Sequence, residues 1–125
     1  MYQRLQSGGE HVSLSKDVIV GETTAAAHDY TPEFLHSLTC TGMPPHELRL
    51  RPGALLMLLR NYAPGKGLCN GTRLGVVTVR SRLIVVRIAT GLARGNIEVL
   101  PRICCDSSGN SYLPFVLRRH QFPVR

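Results

Sequence analysis

Twelve residues of this chain carry side chains suited to gripping a polyanion: Arg49, Arg51, Arg60, Asn61, Tyr62, Lys66, Asn70, Thr72, Arg73, Arg80, Arg118 and Arg119. Cationic groups neutralise phosphates, amides and hydroxyls donate to phosphate oxygens, and an aromatic ring can stack on a base. Ten of the twelve lie between Leu48 and Arg80. Tyr62 is the best stacking candidate in a chain with no tryptophan and only seven aromatic residues. It could equally be a loop tyrosine that caps the β unit.

Other chemistry finds little support. Gly65-Lys66-Gly67 lacks the earlier glycine and the following hydroxyl residue of a phosphate-cradling loop. Cys40, Cys69, Cys104 and Cys105 contain no Cys-x-x-Cys pair, and His11, His28, His36, His46 and His120 are scattered, so no metal site is expected. Adjacent Cys104 and Cys105 read as one core thiol and one outward thiol, both reduced. No spaced carboxylate pair or local nucleophile signature appears, so the chain alone is not expected to be an enzyme.

The elements that must position the cationic residues are mostly strands. Leu48 and Leu50 alternate with Arg49 and Arg51, the period of a strand with one wet face. Pro52-Gly53 suits a type II turn. The apolar run Ala54–Leu59 reads as a strand buried on both faces, ending at Arg60-Asn61. A loop over Tyr62–Cys69 with Pro64, Gly65 and Gly67 follows, and Asn70-Gly71 launches a strand over Thr72–Arg80. Ser81-Arg82 is a tight reversal into Leu83–Thr90, with Ile84, Val86 and Ile88 on one face. Gly91–Gly95 turns into Asn96–Leu100, where Ile97 and Val99 align and Pro101 argues for an edge or a strand end. A short apolar piece at Ile103–Cys105, a polar loop at Asp106–Ser111 and a last strand over Tyr112–Arg119 complete the chain.

Upstream, Val12–Ser15 alternates, Val18–Val20 could add a short strand, and Ala25–Ala27 is either helical or loop. Tyr30–Leu38 is a short helix with Thr31 as N-cap, Pro32 in the first turn, Glu33 at the positive end of the dipole and Tyr30 as a staple on Leu35. Gly42 and Pro44-Pro45 end it. Five or so short strands at hairpin spacing predict a mainly β chain with a short N-terminal helix and a small, partly open antiparallel barrel.

The bulk charge agrees with the residue types. The 125 residues carry a net charge of +7, unevenly divided. Residues 1–47 hold two basic and six acidic groups, a net of −4; residues 48–125 hold thirteen and two, a net of +11. Such a segment suits nucleic acid. No apolar run approaches the roughly 20 residues of a membrane span, and Met1–Ser7 has no signal-peptide core, so the expectation is the nucleus or cytosol, with no membrane partner.

Six segments carry a family resemblance: 30–38 (Tyr-Thr-Pro-Glu-Phe-Leu-His-Ser-Leu), 43–53 (Met-Pro-Pro-His-Glu-Leu-Arg-Leu-Arg-Pro-Gly), 57–61 (Met-Leu-Leu-Arg-Asn), 67–74 (Gly-Leu-Cys-Asn-Gly-Thr-Arg-Leu), 100–103 (Leu-Pro-Arg-Ile) and 113–125 (Leu-Pro-Phe-Val-Leu-Arg-Arg-His-Gln-Phe-Pro-Val-Arg). In this order they resemble the C-terminal part of Pif-type (petite-integration-frequency) DNA helicases, especially the Helitron-like branch. Ser13–Asp17 is fainter and looks like the family's upstream Ser-x-Asp segment.

The resemblance implies an ATP-dependent superfamily-one helicase moving 5′ to 3′ on single-stranded DNA. It also implies a division into residues 1–46, a remnant of the second RecA-like motor domain with its connecting helix, and 47–125, the inserted small basic barrel and return strand. Met57–Asn61 and Asn70–Thr72 match motifs flanking that insertion, and Cys40 falls where the branch usually has a polar residue or proline. The family's ATP and Mg²⁺ groups lie in a first motor domain without counterpart here, so no cofactor is expected in this chain. Single-stranded DNA and the rest of the motor are the expected partners, in replication, repair, recombination, telomere maintenance or transposition. A self-standing basic barrel that binds RNA or protein as an adaptor is the alternative, and an inactive transposon remnant is a third reading.

Overall fold

The computed structural model describes residues 2–5 (backbone only), 9–20, 30–107, 113 and 115–125. Ten strands in three antiparallel sheets and one short α-helix make up these residues. The first sheet has the order β1 (Tyr2–Leu5), β2 (His11–Leu14), β4 (Glu47–Leu50). The second has the order β3 (Lys16–Val20), β10 (Val116–Gln121), β9 (Ile103–Asp106). The third is a meander of β5 (Leu55–Met57), β6 (Arg73–Val79), β7 (Leu83–Ile88) and β8 (Ile97–Pro101). Among the described residues no sheet closes on itself, so the β unit they form is open.

The local chemistry explains most boundaries. In α1 (Pro32–Ser37), Thr31 Oγ1 accepts from the Phe34 amide at 3.1 Å, with proline in the first turn. Tyr30 stacks on Phe34 and tilts against Phe115, with ring centroids 5.4 and 4.7 Å away. The Ala54 amide donates to the Arg51 carbonyl at 3.0 Å across Pro52 and Gly53, whose φ of 90° completes the type II turn. Pro101 ends edge strand β8, where a missing N–H disturbs no ladder. Cys105 is buried and Cys104 exposed. Ala25–Ala27 and the start of the last strand at Tyr112 lie outside the described residues.

Two cores form. The larger gathers Leu48, Leu50, Leu56, Leu58, Leu68, Leu74, Ile84, Val86, Ile88, Leu100, Phe122 and Val124 among others. The smaller joins Leu35, Cys40, Met43, Cys105, Phe115 and Leu117. The run Ala54–Leu59 differs from expectation. Its backbone is hydrogen-bonded on both sides, to β6 and to the 123–125 segment. Leu56, Leu58 and Leu59 are buried, but Leu55 is 62% exposed on the outer face of the meander. Central pairing therefore does not bury both faces.

Candidate nucleic-acid interface

The loop from Arg60 to Arg73 is held rigidly. Ala63 and Leu68 exchange backbone hydrogen bonds of 3.0 and 3.1 Å around a single 3₁₀ turn (Pro64–Lys66), and Leu68 plugs the main core. Asn61 Oδ1 accepts from the Asn70 amide at 2.9 Å. Thr72 Oγ1 donates to the Gly67 carbonyl and accepts from the Cys69 amide, both at 3.2 Å. The Asn61 side chain and the Thr72 hydroxyl thus bind backbone groups and shape the loop. The Lys66 and Gly67 amides are taken by the Ala63 and Pro64 carbonyls at 2.9 and 3.0 Å. They cannot cradle a phosphate as the amides of a nucleotide-binding loop do, so this turn does not fit ATP.

The predicted cations separate into three groups. Arg51, Lys66, Arg73 and Arg80 are exposed and make no ion pair among the described residues; Tyr62 is 39% exposed beside them in sequence. Arg49 and Arg118 are solvent-facing but paired, Arg49 with Glu10 and Glu47 at 3.3 and 2.7 Å, Arg118 with both Asp106 oxygens at 2.8 and 3.0 Å. Hydrogen bonds from Arg118 hold the Asp106 carboxyl below its usual range. Arg60 is half-buried, and its Nη2 donates to the Asp106 carbonyl at 3.4 Å, so it reaches toward β9.

Arg119 must be removed from the binding surface. Its side chain is 1% exposed, forked onto Asp17 through two bonds of 2.9 Å, and it also donates to the Leu35, Leu38 and Pro44 carbonyls. A guanidinium with these partners ties α1 and the Pro44-Pro45 exit to β3 and β10. Sequence reading missed the network around it. Arg102, 7% exposed, donates to the Ser81 and Leu14 carbonyls at 3.2 and 3.0 Å and to Ser13 Oγ, with its guanidinium 4.9 Å from the Phe122 ring centroid. Gln121 is fully buried and bonds Ser13, Pro45 and His46. One signal was available: Arg119 and Gln121 share strand parity with buried Leu117.

Asp17, His36 and His46 bring possible metal-ligating atoms within 4.8 Å of one another. Both Asp17 oxygens are engaged by Arg119, and the imidazoles stack face to face at 3.8 Å and 6°. Lone pairs lying in parallel ring planes do not converge on one ion. Ser15 Oγ lies 2.7 Å from His46 Nδ1 and donates to Asp17 Oδ1 at 2.8 Å, which makes the cluster a hydrogen-bonded brace.

Residues 33–79 match the family model described as DNA helicase Pif1, 2B domain. Solved structures share the fold over nearly the whole chain. Unliganded Pif1 from Bacteroides sp is 21% identical with a TM-score of 0.60, the match covering 96% of this chain and 33% of that one. Bacteroides Pif1 bound to ssDNA is 20% identical with a TM-score of 0.60, covering 97% of this chain and 25% of that one. Pif1 helicase from Candida albicans is 18% identical with a TM-score of 0.57, covering 95% and 29%. The chain therefore spans between a quarter and a third of the length of these helicases. No curated protein matches it.

Proposed function

We propose that this chain is a DNA-contacting part of a Pif1-type helicase, one that steadies single-stranded DNA while a motor elsewhere hydrolyses ATP and moves 5′ to 3′. Nuclear DNA transactions, including transposition in a Helitron-like element, are the setting this reading suggests. The observation that carries it is the charge balance of the 2B-type segment: no acidic residue lies between Leu48 and Ile97, while Arg51, Lys66, Arg73 and Arg80 stand exposed without carboxylate partners among the described residues. Cations of this kind bind phosphate with little regard to base identity, so affinity should fall steeply with salt.

The test is a titration of a labelled single-stranded oligonucleotide at several salt concentrations. Each phosphate contact contributes about −0.7 to the log–log slope. Lys66→Ala combined with Arg73→Ala should flatten the slope by about 0.7 to 1.4 and leave thermal melting unchanged, because neither side chain supports the core. Identical slopes for the two folded proteins would place the DNA elsewhere.

A further inference from the structure

A groove of about 540 Å³ lies between two loops, with one wall from residues 64–72 and the other from 90–96. That volume is within the roughly 300–1,000 Å³ of sites that take small molecules. The walls meet where Gly67 faces Ala93: a Cβ added to Gly67 would fall 2.6 Å from the Ala93 Cβ, and φ there is 83°. Glycine is needed twice over, for the left-handed turn and for the close approach. The second loop is as well braced as the first. The Gly95 amide donates to the Ile88 carbonyl at 2.8 Å and the Asn96 amide to the Ala93 carbonyl at 3.1 Å, while Arg87 Nη1 donates to the Gly95 carbonyl at 3.3 Å. Two rigid loops thus hold open a slot with a fixed floor.

The lining is mixed in the way a flat heterocycle needs. Glycine and alanine backbone gives smooth walls, and Leu92 stands fully exposed on one lip, an isolated apolar side chain at the tip of a cationic loop. Asn96 is exposed on the same wall and can donate and accept at a base edge. Lys66, Arg73 and Arg94 border the loops and make no ion pair among the described residues, and no acid lies from Leu48 to Ile97. An apolar partner alone would not need those cations; a base attached to a phosphate does.

We infer that the groove between the 64–72 and 90–96 loops is a slot for one unpaired nucleobase, with Leu92 packing on the base face, Asn96 bonding its edge, and the bordering cations holding the adjacent phosphates. This rests on the proposed contact with single-stranded DNA but is separable from it, because phosphate binding needs no base. The experiment compares, with the intact chain, a single-stranded oligonucleotide and an abasic one of equal length and charge. The base-bearing strand should bind up to about fivefold tighter, the bottom of the range for a base on an aromatic ring, because Leu92 offers only an aliphatic face. Leu92→Ala with Asn96→Ala should bring it down to the abasic level without altering the salt slope. Leu92→Tyr, a larger platform at an exposed position, should widen the preference. Equal affinity for both strands would overturn the slot and leave the phosphate reading intact. No binding of either strand would overturn both.

Discussion

The meander β5–β8 and the junction built from β3, β9, β10 and α1 hold themselves together by opposite means. The meander rests on aliphatic side chains: Leu56, Leu74, Ile84, Val86, Ile88 and Leu100 fill one face with no buried charge among them. The junction has a small apolar cluster and sets beside it the Asp17–Arg119 pair, with its bonds to three carbonyls of α1 and the segment after it. Aliphatic burial is non-directional and tolerates substitution, whereas a buried guanidinium is satisfied only in one arrangement of its partners. The meander therefore supplies bulk stability, and the junction fixes how the helix and the Pro44-Pro45 exit meet the sheets.

Three substitutions or conditions would break that contrast or make it sharper. The largest effect is expected from Leu58→Asp. Leu58 is fully buried just past β5, where it bridges to Val124, and an unpaired carboxylate there should cost on the order of several kcal/mol, enough to unfold a domain of ordinary stability. Loss of the whole melting transition by circular dichroism is expected. A transition retained by the junction alone would show that the two regions fold independently.

Next comes Arg119→Met, expected to cost about 3–5 kcal/mol because it strands the Asp17 carboxylate in the interior. Adding Asp17→Leu should recover only part of the loss, since the Leu38 and Pro44 carbonyls lose their guanidinium donor and Leu35 keeps only the Leu38 amide. Denaturant melts of both variants check this; full recovery would mean that those carbonyl bonds contribute nothing.

The smallest effect is the pH response, which should belong to the junction. Burial, then the neighbouring His36, pushes the His46 pKa below its usual value, and burial, then Arg102 and Lys16, does the same to His120. The unfolded chain takes up these protons near pH 6.5 and the folded chain at lower pH. Stability from both groups is thus complete above about 6.5 and lost as pH falls through the lowered folded values. Melting temperature should drop by a few degrees between pH 7 and 5, and His46→Asn should flatten the drop. An unchanged profile in that variant would remove His46 from the account.

The same contrast explains what could be read from the chain alone. The turns at Pro52-Gly53 and Ser81-Arg82, the alternation of Ile84, Val86 and Ile88, and the capped helix at Thr31 are set by nearby residues and were legible. Leu55 misled because an apolar run reports burial only when both sheet faces are covered, and the outer face of the meander is open at that point. Arg119 misled because an arginine next to another arginine reads as a wet face. Its carboxylate partner lies 102 residues away, and no local pattern announces it. Within the loop, residue types pointed to Lys66 and Arg73, but the opposing wall at 90–96 came into view only in three dimensions.

That separation of 102 residues also bears on how the chain must be ordered. The entropy lost in closing a loop grows as the logarithm of its length, so pairing β3 with β10 closes by far the longest loop in the second sheet. The meander divides its closure among short hairpins such as the two-residue reversal at Ser81-Arg82, where the Arg80 amide meets the Leu83 carbonyl at 2.9 Å. Contacts of high sequence separation slow folding, and the ion pair, the Ser13–Gln121 bonds and the β3–β10 register are prominent among them here. The arginine that a reader would assign to the surface is the clasp that joins the two distant halves of the chain.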